Sequence, residues 1–291
     1  MANRRVLVKR RRSAQNIRKI TRTMQLVATA RFQAAFTRAV ASRPFVDKLA
    51  ELVADLGGAG ELSHPLLAAA NPHAPEALLV LTSNRGLCGG YNGNLLRTAS
   101  EALRQTPAAR TELHAFGKKG IAFFRFTRRE MASQNIEISD SPRFEQVELV
   151  ARELMERFRA GEISAVRVVY MRFFSAGLQR PEVVQLLPLV ATPAATTGGA
   201  PAAPRRGELE FHPDAKSLLD DMLPTTVKVR LYQAFLDASV SEQSARMVAM
   251  KAATDAAEEM IRSLTRQYNR ARQTHITMEL LDIIGGSNAL A

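Results

Sequence analysis

From Asn3 to Leu56 the sequence runs without a glycine, and from Pro213 to Ile284 it does so again. Each stretch carries a helical apolar period, so both read as long helices. At 1.5 Å per residue they would measure about 80 Å and about 105 Å, far more than a compact domain needs. Pro44 predicts a kink or joint in the first and Pro224 a bend near the start of the second. Gly57, Gly58 and Gly60 end the first. Ile17, Ile20, Met24 and Val27 are spaced 3, 4, 3, and Met250, Ala253, Ala257, Met260 and Leu264 alternate in the same way. Such narrow stripes are coiled-coil seams rather than the broad face of a globular helix. Each seam can be hidden only against the other, which predicts an antiparallel pair forming a slim rod. The small residues Ala28, Ala30, Ala34, Ala252, Ala253 and Ala256 would let the two backbones approach closely.

The intervening sequence changes character between about Pro75 and Val190. Short apolar runs at Ala77 to Thr82 and Glu112 to Phe116 read as strands, and Asn94 to Gln105 and Phe144 to Arg159 as helices. Ala165 to Phe173 and Glu182 to Leu187 add a strand pair turning near Gly177. This alternation predicts a small α/β domain with a partly parallel sheet. Residues 192–207 are almost entirely Ala, Pro, Gly and Thr, with no apolar period, a flexible connection. The expected organisation is therefore a first helix at 1–57, a central domain at 75–190, a connection at 191–210 and a second helix at 211–291 pairing with the first. The fold class is mixed α+β and α/β.

Charge narrows the function. Of the 291 residues, the twelve basic ones between Arg4 and Arg43 all precede the first acidic residue, Asp47, and they equal the whole net charge of +12. A cluster of this kind serves a nucleic acid or an acidic partner, or simply forms a solvated helix face. No stretch approaches the roughly 18 uninterrupted apolar residues that cross a bilayer, and no signal peptide opens the chain, so a cytosolic protein is expected. Cys88 is the only cysteine, which excludes an internal disulfide and a cysteine-based metal site.

Catalytic patterns are scarce. Gly86, Gly89, Gly90 and Gly93 follow a strand and precede a helix, as a phosphate cradle would. Their spacing matches neither the dinucleotide fingerprint nor a P-loop, so a tight turn is the better reading. His64, His73, His114, His212 and His275 lack metal-ligand spacing and a partnered nucleophile. Cys88 beside Arg85 reads as a small packed residue rather than an activated thiolate. No cofactor is expected.

Three segments together resemble the gamma subunit of F-type ATP synthases: NIRKITRTMQLVATARF at Asn16 to Phe32, SNRGLCGGYN at Ser83 to Asn92, and YNRARQTHITMELLDIIGGSNAL at Tyr268 to Leu290. SRPFVDKL at Ser42 to Leu49 and LYQAFLDASVSEQSARMVAMKAAT at Leu231 to Thr254 extend the likeness over nearly the whole chain. The chain departs from the family at Asn84, where Asp is usual, and at Asn288, where a small residue is usual. It also lacks the Cys-containing regulatory insertion of the plant plastid members.

The resemblance implies a long antiparallel two-helix coiled coil with a small Rossmann-like domain. It implies a rotating, non-catalytic shaft inside a ring of alpha and beta subunits, with epsilon and the membrane rotor ring of c subunits at its foot. It places the chain peripherally on the cytoplasmic side of a bacterial inner membrane, without insertion. Met24 would pass acidic segments of the beta subunits. Arg272, Gln273, Thr277 and Glu279 match the polar positions of the family's Arg-Gln-x-x-Ile-Thr-x-Glu pattern and would contact the ring, with Ile276, Leu280 and Ile283 as an apolar bearing. Arg85, Gly86, Cys88, Gly89 and Gly90 belong to the family's signature turn. The other reading, from charge and periodicity alone, is a basic coiled-coil protein that binds nucleic acid.

Overall fold

The structure, a computed structural model, describes residues 4–58, 64–67, 71, 73–105, 110–138, 141–189 and 215–290. The connection expected at 191–210 lies outside them. Ten elements follow in chain order: α1 (Arg4–Gly58), β1 (Glu76–Leu81), α2 (Tyr91–Gln105), β2 (Thr111–Phe116), α3 (Lys118–Phe126), β3 (Ser133–Asn135), α4 (Phe144–Arg159), β4 (Ala165–Ser175), β5 (Leu178–Leu187) and α5 (Ala215–Leu290). The terminal helices contain 55 and 76 residues, and each runs through its internal proline. Gly285 and Gly286 do not end α5, which continues to Leu290.

The chain divides into two units, and the divisions fall inside the long helices: residues 31–245 form one unit, and residues 1–30 with 246–291 the other. In the larger unit the five strands are ordered β3-β2-β1-β4-β5. β1 pairs in parallel with β2 and β4, β2 in parallel with β3, and β4 antiparallel with β5. Alternation along β1 sends Ala77, Leu79 and Leu81 to one face and Leu78 and Val80 to the other. Both faces are covered, which is why β1 reads as a continuous apolar run.

One face packs against α4, through Val147, Ala151, Leu154 and Phe158, and against α5, through Leu223, Val227, Leu231 and Phe235. The opposite face packs against Leu95, Ala99 and Leu103 of α2 and Ile121 and Phe124 of α3. These residues recur every three or four positions, the period that puts them on one side of a helix. A third cluster joins Ala35 and Ala39 of α1 to Leu236 and Val240 of α5, with Phe173 of β4 and the rings of Phe32 and Phe36 beside them.

In the smaller unit, residues of α1 and α5 pair in reverse order. Arg11 stacks over the Tyr268 ring at 5.2 Å, Arg18 reaches Glu258 at 3.3 Å, and the Thr21 and Thr254 hydroxyls bond at 2.8 Å. As α1 ascends, α5 descends, so the pair is antiparallel as predicted. The seam itself is a correction. Leu7, Ala14 and Ala28 are buried on α1 at intervals of seven or fourteen, facing Met250, Ala257 and Leu264 at intervals of seven. Ile17, Ile20 and Val27, predicted to be inside, are exposed by 49%, 60% and 48%, and Met260 is exposed too. The contact runs along the face that carries Leu7, Ala14 and Ala28, so the face of Ile17, Ile20 and Val27 is turned outward. Of the six small residues expected at the contact, only Ala28 is buried; Ala30, Ala34, Ala252 and Ala256 are exposed.

Candidate functional site

The turn between β1 and α2 is held by its own side chains. The Ser83 N–H donates to Asn92 Oδ1 at 3.1 Å, its hydroxyl donates to the Arg85 carbonyl at 2.6 Å, and Asn92 Nδ2 donates to Ser83 Oγ at 2.7 Å. Asn92 Nδ2 also lies 3.2 Å from Cys88 Sγ, and the thiol is 2% exposed. Cys88 is therefore packed beneath the turn, in a setting that makes it a structural residue. Gly89 has a φ of 56°, the left-handed region, whereas a Cβ at Gly86 or Gly90 would meet only ordinary contacts. Leu87, which the sequence reading passed over, adopts a φ of 63° and is 61% exposed. A bulky residue held in that region is strained, and here the strain presents an apolar side chain outward beside the exposed Arg85.

Amides at the starts of the two neighbouring helices are engaged within the chain. At the start of α2, the Tyr91 N–H donates to the Cys88 carbonyl and the Asn94 N–H to the Gly90 carbonyl. At the start of α3, the N–H groups of Lys118, Lys119 and Gly120 donate to Asn84 Oδ1, the Ser83 carbonyl and Thr82 Oγ1. Asn84 thus uses its neutral amide, whose Nδ2 donates to the Ile136 carbonyl at 3.4 Å. Among the described residues no group of three His, Cys, Asp or Glu side chains gathers to hold a metal.

A polar network around the buried Asp237, also missed in the sequence, ties α1, α5 and β4 in the larger unit. Arg43 lies 3.7 Å from the Asp237 carboxylate and donates to the Phe173 carbonyl at 3.1 Å. Gln233 Nε2 donates to Asp237 at 3.0 Å, and the Ser42 hydroxyl donates to Gln233 Oε1 at 2.5 Å. Burial pushes Asp237 up to about 6, opposed by the Arg43 charge and the Gln233 hydrogen bond. Burial likewise raises Tyr170. The sequence signal was weak: an Asp on a helix is ordinarily at the surface, and nothing in its neighbours marks it as inside.

In the smaller unit, Met24 is half-buried. Arg272, Gln273, Thr277 and Glu279 are all exposed on α5. The Thr277 hydroxyl donates to the Gln273 carbonyl at 3.0 Å, and Glu279 pairs with His275 at 3.1 Å. Among and beyond them Ile276, Met278, Leu280, Leu281, Ile283 and Ile284 are each between 48% and 68% exposed. Leu7, near the start of α1, clusters with Leu264 and has Ala271 beside it, so this end of α5 outruns its helical partner among the described residues. The six side chains fall on several sides of the helix, an exposed apolar surface of the kind that marks an interaction site.

A family model described as "ATP synthase" matches residues 3–290. The ATP synthase gamma chain of Rhodopirellula baltica is 42% identical to this chain over 294 aligned residues, covering 100% of it and 99% of the relative. The chain belongs to the ATP synthase gamma chain family. The gamma chain of Leptospira biflexa is 38% identical over the whole of both chains. The fold matches a chain of the Euglena gracilis mitochondrial ATP synthase in rotational state 3, with a TM-score of 0.66, 18% identity, and coverage of 99% and 94%. It also matches one from the Tetrahymena thermophila mitochondrial enzyme's central stalk and c-ring, with a TM-score of 0.56, 22% identity, and coverage of 80% and 99%. Gamma chain membership favours the shaft reading over the nucleic-acid one. The turn and the end of α5 both lie within this full-length match.

Proposed function

We propose that the chain is the rotating central shaft of an F-type ATP synthase. Its terminal helices turn inside the alpha and beta ring, and the α/β domain meets epsilon and the c subunits. The observation that carries this reading is the end of α5, where six exposed apolar side chains follow Arg272 and Gln273 with no helix among the described residues to cover them. A greasy collar with a few directed donors suits a bearing that must slip in most positions and grip in some. Because one asymmetric surface meets chemically identical catalytic subunits in turn, it biases each toward a different nucleotide affinity through differential contact. Phosphoryl chemistry belongs to those partners, and the chain has no catalytic residue. No helix among the described residues is long and apolar enough to cross a membrane. Peripheral association with a bacterial inner membrane, on the cytoplasmic side, therefore runs through partners.

The test is ATP hydrolysis and ATP-driven ion pumping by reconstituted complexes carrying Arg272→Glu or Arg266→Glu, with assembly checked separately. A guanidinium meeting a carboxylate in a partly dry bearing contributes about 1.5 to 3 kcal/mol. Arg272→Glu should slow turnover while the complex still assembles, and Arg266→Glu should change it by less than about 1 kcal/mol. Wild-type turnover in both removes Arg272 from coupling, and ATP hydrolysis by the pure chain rejects the non-catalytic reading.

A further inference from the structure

β2 and β3 are parallel, so the chain that joins them must run back along the sheet before β3 can begin. α3 makes that return, and α2 makes the same return from β1 to β2. The last turns of both helices therefore lie at the edge of the larger unit where the strands start. The connection after α3 is fixed there by the Ala132 N–H, which donates to the Leu113 carbonyl at 2.8 Å. Five arginines collect at this edge: Arg104 in the last turn of α2, Arg110 just before β2, and Arg125, Arg128 and Arg129 around the end of α3. All but Arg129 are exposed.

Arg104 and Arg125 suit the negative end of a helix dipole, which leaves the other three without a local reason. At the same edge Arg157 and Arg167 are matched by Glu112, Glu162 and Glu76. None of the five forms an ion pair among the described residues; Arg104 donates to the Ser100 carbonyl and Arg125 to the neutral Gln134. Glu101 and Glu130, both exposed, are the acids beside them in sequence, and the cations stay in excess. Phe126 stands among these arginines and is 87% exposed, more than any other large apolar residue described. Ile121 and Phe124 turn into the core on the other face of α3. The helix then ends on Arg128, whose φ of 53° is left-handed, while the Arg128 and Arg129 N–H groups donate to the Arg125 and Phe124 carbonyls. Glycine takes that position without strain. An arginine there, beside an apolar ring left in water, breaks two local rules at once, and such breaks gather at functional surfaces.

We propose that this edge lies against anionic lipid headgroups, with Phe126 seated at headgroup level and the arginines on the phosphates. Arginine forks match phosphate oxygens, and an apolar side chain set among basic ones holds a peripheral protein at a membrane surface. Nucleic acid fits less well, since stacking calls for successive rings and Phe126 is the one exposed ring among these arginines. The inference rests on the shaft reading, which brings the α/β domain near the membrane, and adds a direct contact to those made through partners.

The chain contains no tryptophan, so Phe126→Trp installs a single reporter. With vesicles of phosphatidylcholine and phosphatidylglycerol at about 100 mM salt, the emission of the full chain should shift to the blue and be quenched by brominated acyl chains. Vesicles of phosphatidylcholine alone should do neither. Leu149→Trp, exposed on α4 across the sheet, should stay unshifted. Adding Arg125→Gln and Arg128→Gln to the Phe126→Trp chain should raise the lipid concentration for half the shift about tenfold, at an unchanged melting temperature. The basic run of α1 can draw the chain to the same vesicles, so co-sedimentation without a shift at position 126 overturns the proposal. Equal shifts at positions 126 and 149 also overturn it, as does a shift produced by a single-stranded oligonucleotide and not by phosphatidylglycerol. In the reconstituted complex, quenching of the position-126 reporter, read as the difference from wild type, supports the lipid contact. No quenching there means that a protein partner covers the edge, which overturns it. Neither result bears on Arg272, whose test is turnover, so the shaft reading survives the loss of this one.

Discussion

Thr82, at the end of β1, organises the joint between sheet and α3. Its hydroxyl donates to the Phe116 carbonyl at 2.7 Å and accepts the Gly120 N–H at 2.8 Å. Closeness demands glycine opposite it: a Cβ at Gly117 would stand 2.1 Å from the Thr82 carbonyl oxygen, and Gly117 has a φ of 90°. Gly117→Ala should therefore cost about 3 kcal/mol or more, as backbone strain and a clash that no side chain can relieve combine. Gly93, within α2, has nothing within 4 Å of its would-be Cβ, and Gly93→Ala should stabilise by about 0.5 to 1 kcal/mol. Urea unfolding of the two variants checks both signs.

Asp237 gives a second expectation at this scale. Its folded value of about 6 lies above the ordinary 3.8, so the folded state holds the proton more tightly than the unfolded chain. Stability from this group is full below the unfolded value and is lost as pH rises through about 6. At neutral pH the buried carboxylate costs about 3 kcal/mol on this basis. Arg43, Arg172, Tyr170 and Gln233 are the groups that act on it. Asp237→Asn should keep its hydrogen bond from Gln233, leave Arg43 half-exposed to water, and flatten the stability profile between pH 4 and 6. An unchanged slope in denaturation at pH 4.5, 5.5 and 7.5 would assign that pH dependence elsewhere.

Among the elements, those with a strong period were legible and those without were not. α4 runs from Phe144 to Arg159 as read from its sequence, because Val147, Ala151, Leu154 and Phe158 mark one face. β1 is displaced by a single residue, and its burial on both faces follows from its composition. α3 and β3 escaped notice. α3 begins with two lysines, contains Gly120 and draws its order from Thr82, while β3 is three polar residues paired to β2. Neither has a local signal, since tertiary contact decides them. The seam of the helix pair was misread for a different reason: hydrophobic residues do recur on the face of Ile17 and Ile20, but contact is made by the face that carries Leu7, Ala14 and Ala28. Leu264→Ala should accordingly destabilise the helix pair by about 2 to 4 kcal/mol, and Met260→Ala by less than about 1 kcal/mol. Thermal melting followed by helical circular dichroism separates them.

For the whole molecule, the antiparallel helices and an α/β unit with a partly parallel sheet were readable because composition and period change together near Gly57 and Pro75. The polar residues Arg272, Gln273, Thr277 and Glu279 were readable only through the family pattern; exposure on a helix has no periodic sign of its own. Deleting residues 276–290 should leave the melting temperature of the isolated chain within about 2 °C, because six exposed side chains contribute little to its folding. The same deletion should reduce binding of a hydrophobic dye. A large loss of stability would mean that this end packs within the chain.

The alanine-lined seam has an evolutionary reading. Residues that hold the pair together, Leu7, Ala14, Ala28, Met250, Ala257 and Leu264, are a different set from the exposed apolar ones, among them Ile17, Ile20, Val27 and Met260. Exchanges in the outer set touch neither helix's grip on the other, so their stability effects should be small and close to additive with those of the inner set. A lineage can thus retune what the outside of the pair meets, one substitution at a time, while the inherited scaffold stays folded and the two kinds of selection rarely compete for the same position.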